Sequence, residues 1–242
     1  MLTKLHCIAL RTVRVNDSRN LLSVWSREHG RLTFVMPAGN GREARRRRAL
    51  TGPLALFEAV GDVRPDRDII TVRDLMPMPE SPAMSMSPVR AASAPFLAEA
   101  LDLLLRRTPA DDILSAYLFD AISYYGTAST AAAANFHISF LYHLSVFLGI
   151  APDIDEAAPG DYFDMREGRF ISTAPLHGDY LSAADSRILL ALARVPITHC
   201  GMLRVPRHER RRAIDSILHY YSLHLCELEG LQSLPILRRI FD

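Results

Sequence analysis

Cysteine is scarce in this sequence: Cys7, Cys200 and Cys226 are the only three in 242 residues. They are far apart and odd in number, so no disulfide framework is implied and a reducing cytoplasm is expected. Long apolar runs are missing too. Charge or histidine breaks each one well short of the roughly 18 residues that suggest a membrane helix. Met1 to Cys7 show no apolar core followed by a small-residue cleavage site, so no secretory signal is predicted. No internal repeat occurs, and no heptad pattern long enough for a coiled coil.

The usual marks of catalysis are also absent. Gly39-Asn40-Gly41 is too short for a phosphate-binding loop, and arginines follow it instead of a lysine and hydroxyl. His208-Glu209 runs into Arg210-Arg211-Arg212, so there is no second histidine at metalloprotease spacing. Asp153, Asp155, Glu156, Asp161 and Asp164 form the densest acidic region. A two-metal nuclease needs carboxylates from rigid elements converging on ions about 4 Å apart, and these lie in a proline-broken loop. His177 and Asp179 read as a surface turn. His137 and His143 read as hydrogen-bonded packing residues of an apolar helix, and Cys7 and Cys226 as buried small hydrophobes.

What is present is a real core, with 49% hydrophobic residues, and a net charge of only +1 that is unevenly spread. Residues 1–80 hold 14 basic against 9 acidic side chains, and residues 81–242 hold 14 against 18. A basic front and an acidic back suggest separate jobs.

The front reads as β. Residues 4–14, 21–26 and 31–37 alternate as three strands, with Gly30 at a positive-φ turn. Leu54–Val60 and Ile69–Leu75 add two more. Five short strands are best closed into a small barrel, which removes sticky edges. Residues 76–95, rich in Pro, Met and Ser, read as a linker or crossing segment. The period then changes from two to between three and four. Helical faces run through Phe96–Leu105, Ile113–Tyr125 and Phe136–Leu148, the last stopped by Gly149. Residues 150–181 are irregular, with a hairpin expected at 162–170. Helices follow over Ile188–Val195, signalled by Ser182 and Asp185, after Pro206, and from Leu234 to Phe241.

The arginines carry the functional reading. Arg42, Arg45, Arg46, Arg47 and Arg48 are expected in a flexible loop between the third and fourth strands, opposed only by Glu43. Arg11, Arg14 and Arg19 flank the first turn, Arg31 follows Gly30, and Lys4 lies nearby. Such a cluster repels itself unless something anionic meets it, and phosphate backbones fit. No major-groove reading helix is evident, so backbone recognition without base sequence is expected. Trp25 and Phe34 are the candidate stacking platforms, though their strand positions favour the core. Aromatics are only 8% of the chain, which favours an electrostatic grip over a stacked one. Arg207, Arg210, Arg211 and Arg212 open a late helix, either as a second anion contact or as a solvated turn balanced by Glu209 and Asp215.

Several segments carry a family likeness. Asn16-Asp17-Ser18, Leu21–Ser26, Glu28–Phe34 and Pro37-Ala38-Gly39 resemble the N-terminal domain of the bacterial recombination mediator RecO. Asn135-Phe136, Phe147-Leu148-Gly149, Tyr220–Leu225 and Leu231–Leu237 resemble later parts of that family, in the same order. The resemblance implies an α+β chain: an oligonucleotide-binding (OB-fold) barrel over residues 1–80, then an all-helical domain over 81–242. It implies a non-enzymatic, cofactor-free, cytoplasmic and nucleoid-associated protein. Such a protein binds single- and double-stranded DNA, anneals complementary strands and helps load the recombinase RecA. Implied partners are RecR and the C-terminal tail of the single-strand-binding protein, the latter in an apolar pocket with basic rims. Many members carry a four-cysteine zinc module near what is here Tyr162–Tyr180. This window has no cysteine, so no structural zinc is predicted, and a cluster of Tyr162, Phe163, Phe170 and Tyr180 is expected instead. In this the chain resembles the metal-free branch of Bacteroides-like bacteria. The rival readings are a metal-dependent nuclease using Asp153, Asp155, Asp161 and Asp164, and a protein-only scaffold.

Overall fold

A computed structural model describes residues 2–64, 69–82, 87–226, 228 and 230–240. Phe241, expected in the last helix, and residues 83–86 of the proline-rich segment lie outside the described residues. The chain forms two compact units, Met1–Thr127 and Ala128–Asp242.

In the first unit five strands close into a barrel, ordered β1-β2-β3-β5-β4. β1 (Leu2–Arg14), β2 (Arg19–Ser26) and β3 (Gly30–Pro37) are the expected antiparallel meander. β4 (Leu56–Asp62) pairs antiparallel with β1, from Leu2 opposite Asp62 to Ile8 opposite Leu56. β5 (Ile69–Pro77) bridges β4 and β3, running parallel to β3, and so removes the remaining edge. Helix α1 (Arg42–Leu50) joins β3 to β4. The alternation fills the interior: Leu5, Cys7, Val24, Phe34 and Phe57 are buried there, and Phe34 meets Phe57 edge-on at 6.4 Å. Full burial of such a side chain contributes about 1.5–3 kcal/mol. Gly30 takes the expected left-handed turn conformation, φ +69°.

The outward residues Ile8, Leu10 and Trp25 are buried as well. Helices α2 (Pro88–Leu104) and α3 (Asp112–Thr127) belong to the same unit as the barrel, and α2 packs on β1. Trp25 Nε1 donates to Ser115 Oγ of α3 at 3.1 Å. The change of period near residue 80 therefore marks the end of the barrel, while the compact unit continues to Thr127. The segment expected as a linker is partly structured at both ends. β5 runs through Met76 and Pro77, and α2 opens on Pro88, where a missing N–H costs nothing.

In the second unit α4 (Thr130–Phe147) is capped by Ser129, whose hydroxyl accepts from Ala132 N–H at 3.2 Å. It is buried nearly all round, through Phe136, His137, Phe140 and Leu144. α5 (Ala183–Arg194), a 3₁₀ turn (Ile197–Met202) and α6 (Arg207–His224) pack against it, and α7 (Leu234–Ile240) follows. α5 starts before the expected Ile188 because Ser182 Oγ accepts from Asp185 N–H at 3.2 Å. His143 Nε2 donates to the Val195 carbonyl at 3.1 Å, the packing role expected of it.

This unit is not all-helical. β6 (Tyr162–Asp164), β7 (Arg169–Ile171) and β8 (Tyr180–Leu181) form a small sheet ordered β7-β6-β8. The hairpin and the ring cluster read from the sequence are both there. Tyr162 lies 5.8 Å from Tyr180 and Phe163 lies 5.1 Å from Phe170. Tyr220 of α6 adds a fifth ring, 5.6 Å from Phe163. Cys7 is buried as expected, but Cys226 is only half-buried; Cys200 is the second buried thiol.

Candidate nucleic-acid interface

The arginine run is a helix, not the expected flexible loop. Gly41, in extended conformation, precedes it, and arginine has good helix propensity. Glu43 sits in the first turn and Arg47 and Arg48 in the last, as the helix dipole favours. Ala44 is buried, and Leu50 packs against the barrel core. Their phase turns Arg42, Arg45, Arg46 and Arg48 outward, all exposed, while Arg47 is half-buried. Arg42, Arg45 and Arg46 stand three and four apart on one face. Arg48 also bends back to donate to the Gly39 carbonyl at 2.6 Å. Glu43 lies 3.9 Å from Arg46 and 3.6 Å from Arg47, loose surface pairs of the kind worth about 0–1 kcal/mol. One carboxylate cannot neutralise five guanidinium groups.

The β1–β2 hairpin adds Arg11, Arg14 and Arg19, all exposed. Arg14 forms an ion pair with Asp17 at the tip. Arg19 lies opposite Pro37 in the β2–β3 register, and Ala38 N–H donates to the Ser18 carbonyl at 2.9 Å. The hairpin tip is thus tied to the segment leading into α1. Lys4 is paired with Glu58 at 2.8 Å.

Arg31 stands apart from this group. It donates to Asp102 Oδ1 at 2.7 and 3.1 Å and to Ser23 Oγ at 3.2 Å. Its guanidinium is committed to fastening α2 to the barrel wall. Trp25 and Phe34 are both fully buried, so neither presents a face for stacking. Nearby, Glu28 accepts from His6 N–H and Ser26 Oγ and contacts His6 Nδ1 at 2.6 Å. Burial raises its pKa, but the hydrogen bonds from His6 and Ser26 outweigh this and hold it below the usual value.

The second basic group is divided. Arg207 and Arg211 are exposed. Arg212 reaches Asp185 at 3.1 Å. Arg210 turns inward, donating to Asn135 Oδ1 at 3.0 Å and to the Val205 carbonyl at 2.9 Å. Asn135 in turn donates to the carbonyls of Cys200 and Leu203, each at 2.9 Å. Desolvation, and then the nearby charge of Arg207, lower the Arg210 pKa. Asp215, expected to balance this turn, pairs with Arg238 instead. Burial, with Arg210 as a lesser contributor, pushes the His137 pKa down to about 3. Between α5 and α6 lies a cleft of about 320 Å³ with Ile188, Leu203 and Ala213 in its lining and Arg187, Arg204 and Arg212 around them.

The acidic region is spent on its own turns. Asp153 accepts from Asp155 N–H at 3.1 Å, and Asp161 from Ala158 N–H at 2.9 Å. Asp164 accepts from the N–H groups of Arg166 and Glu167 at 2.9 and 3.2 Å, and from His177 Nε2 at 3.2 Å. Asp179 is held below the usual carboxylate range by hydrogen bonds from His219, at 2.8 Å, and Arg166, at 2.6 Å. His177 and Asp179 are therefore separate pair members, not a bare surface turn. Among the described residues no three His, Cys, Asp or Glu side chains are placed to hold a metal ion. This donor set does not fit a four-thiolate zinc.

Arg73, beside α1 on β5, went unnoticed in the sequence, where a lone arginine in a strand carries no signal. It lines a cleft with Arg46 and Arg47.

Comparison with known proteins bears on the whole chain. A family profile described as "Recombination protein O C terminal" matches residues 87–234. A protein named DNA repair protein RecO from Bacteroides fragilis is 33% identical over 243 residues, spanning all of both chains. Proteins of the same name from Phocaeicola vulgatus and Porphyromonas gingivalis are 30% identical over all of both chains and 31% identical over 97% of each. With that likeness running from the barrel strands to the last helix, the chain belongs to the RecO family.

Proposed function

We propose that this protein is a DNA-binding recombination mediator of DNA repair, without chemistry of its own. It binds single- and double-stranded DNA, anneals complementary strands and helps load the recombinase. The observation that carries the reading is the outward stripe of Arg42, Arg45, Arg46 and Arg48 on α1, a helix whose one acidic residue is Glu43. Arginines on a rigid helix present charge at fixed spacing and contact phosphate without reading base sequence. Bound between two backbones, they screen the repulsion that keeps complementary strands apart. Arg11, Arg14 and Arg19 extend the same basic surface, and the exposed Arg207 and Arg211 offer a second one. Arg31 and Arg210 serve the fold rather than the DNA. The relatives' shared name, DNA repair protein, supports the same assignment.

RecR and the acidic tail of the single-strand-binding protein are the proposed partners. The α5–α6 cleft combines apolar side chains with Arg187, Arg204 and Arg212 and also holds Asp185 and Glu209; with Arg212 paired to Asp185, Arg187 and Arg204 are the cations it offers to that tail.

The deciding experiment replaces Arg42, Arg45, Arg46 and Arg48 together by alanine, which keeps helix propensity. DNA affinity falls for every sequence, and the slope of log affinity against log salt on single strands becomes shallower by about 3. Unchanged affinity and slope would refute the assignment. Loss of intact DNA on incubation with magnesium would favour a nuclease instead.

A further inference from the structure

Next to the arginine stripe, α1 and β5 enclose a cleft of about 150 Å³. Pockets for drug-sized ligands run to about 300–1,000 Å³, so this one is of the order of a single heterocycle. Its lining is not that of a plain phosphate site. The floor is apolar, formed by Met36, Leu50, Val72 and Leu75. Arg46 and Arg47 line it from α1 and Arg73 from β5. Two carboxylates, Glu43 and Asp74, also line it, and they would repel a phosphate seated inside.

We infer that this cleft takes one unstacked nucleobase of single-stranded DNA, an inference that rests on α1 being the DNA-contacting helix. The apolar floor suits the flat face of a base. Guanidinium planes stack on bases, and the three basic side chains lining the cleft are all arginine. The carboxylates have a place in this arrangement as acceptors for exocyclic amino groups. Glu43 is held by its arginines only at 3.6 and 3.9 Å. Of the two Asp74 oxygens, Oδ1 accepts from Leu75 N–H at 2.8 Å. Arg47 Nε is buried without a hydrogen-bond partner. A buried donor left unmatched is costly, and a small rotation of the Arg47 side chain toward the cleft would let a base carbonyl or ring nitrogen match it. A base in the cleft leaves its flanking phosphates at the mouth, within reach of Arg46, which lines the cleft and is exposed. Duplex DNA, with its bases stacked, gains only the phosphate contacts. The cleft would therefore make single strands bind more tightly than duplex of equal phosphate number.

The test compares a labelled oligo-dC strand with an abasic strand of equal length and phosphate number, titrated with the full chain. Wild type is expected to bind oligo-dC about tenfold more tightly than the abasic strand, the value of roughly one stacked base. Arg73→Lys keeps the charge and loses the stacking plane, so it should remove that difference between the two strands. Equal binding of both strands by wild type overturns the inference, and so does a difference that survives in Arg73→Lys. If wild type binds both strands equally with a steep salt dependence, the DNA-binding reading stands and only the cleft is lost. If it binds neither, both fall together.

Discussion

Helices α1 and α6 begin with nearly the same composition, Arg42-Glu43-Ala44-Arg45-Arg46-Arg47 and Arg207-His208-Glu209-Arg210-Arg211-Arg212. Their arginines meet different fates. In α1 the inward positions are Ala44, the half-buried Arg47 and Leu50, so the other guanidiniums face water. In α6 the buried stripe runs through Ala213, Ile214, Ile217 and Leu218. Arg210 stands three and four residues before its start, on the same face, and is drawn in to meet Asn135 and the Val205 carbonyl. A charge run thus marks where an anion could be attracted. The phase of the apolar stripe decides which charges remain available.

That contrast can be broken at either helix. The largest effect belongs to the quadruple alanine variant of α1, with DNA affinity lower by about a thousandfold at about 50 mM salt and an almost unchanged melting temperature. Arg210→Ala should do the reverse. It strands Asn135 Oδ1 and the Val205 carbonyl, and the second unit loses about 2–3 kcal/mol, read from denaturant titration, while DNA affinity stays put. A large affinity loss with intact stability would show Arg210 to be a DNA contact after all.

Acid should separate the two units next. Burial lowers the His137 pKa to about 3, and lowers that of His143 despite its bond to Val195. A histidine with a depressed folded pKa stabilises fully above its unfolded value near 6.5, and that stability is lost as pH falls toward the folded value. Going from pH 7 to pH 5 should therefore weaken the second unit by roughly 2 kcal/mol. In the barrel, Glu28 is a depressed carboxylate, whose contribution is lost only below about 4.5. Amide exchange at both pH values, corrected for intrinsic rates, checks this. Equal weakening of the two units would contradict it. The smallest effect is that of Trp25→Phe, which loses the bond to Ser115 and about 1 kcal/mol without touching DNA affinity. A marked fall in affinity would mean that Trp25 reaches the nucleic acid.

The barrel was legible because alternation at period two is local: each of β1 to β3 shows its inward residues in its own few positions. The hairpin at 162–170 was legible in the same local way, but the ring cluster of Tyr162, Phe163, Phe170 and Tyr180 followed from the family likeness, since Tyr180 lies on β8 outside that hairpin. Helix α1 was missed although its signals were present, with Glu43 early, basic residues late, and Ala44, Arg47 and Leu50 in phase. The neighbouring glycines and strands suggested a loop. Trp25 could not be resolved from its own strand. Its side chain lies on the outer wall of the barrel, and its burial depends on Ser115, 90 residues away.

The sequence by itself determined the closed five-stranded barrel, the later helices and the family, since residue periodicity and order are properties of the chain alone. Only the tertiary structure decided which arginines are free to meet an anion. Arg31 is bound by Asp102, 71 positions on, and Arg210 by Asn135, 75 positions back. A guanidinium binds whatever acceptor folding brings within reach, and separation along the chain does not encode that distance.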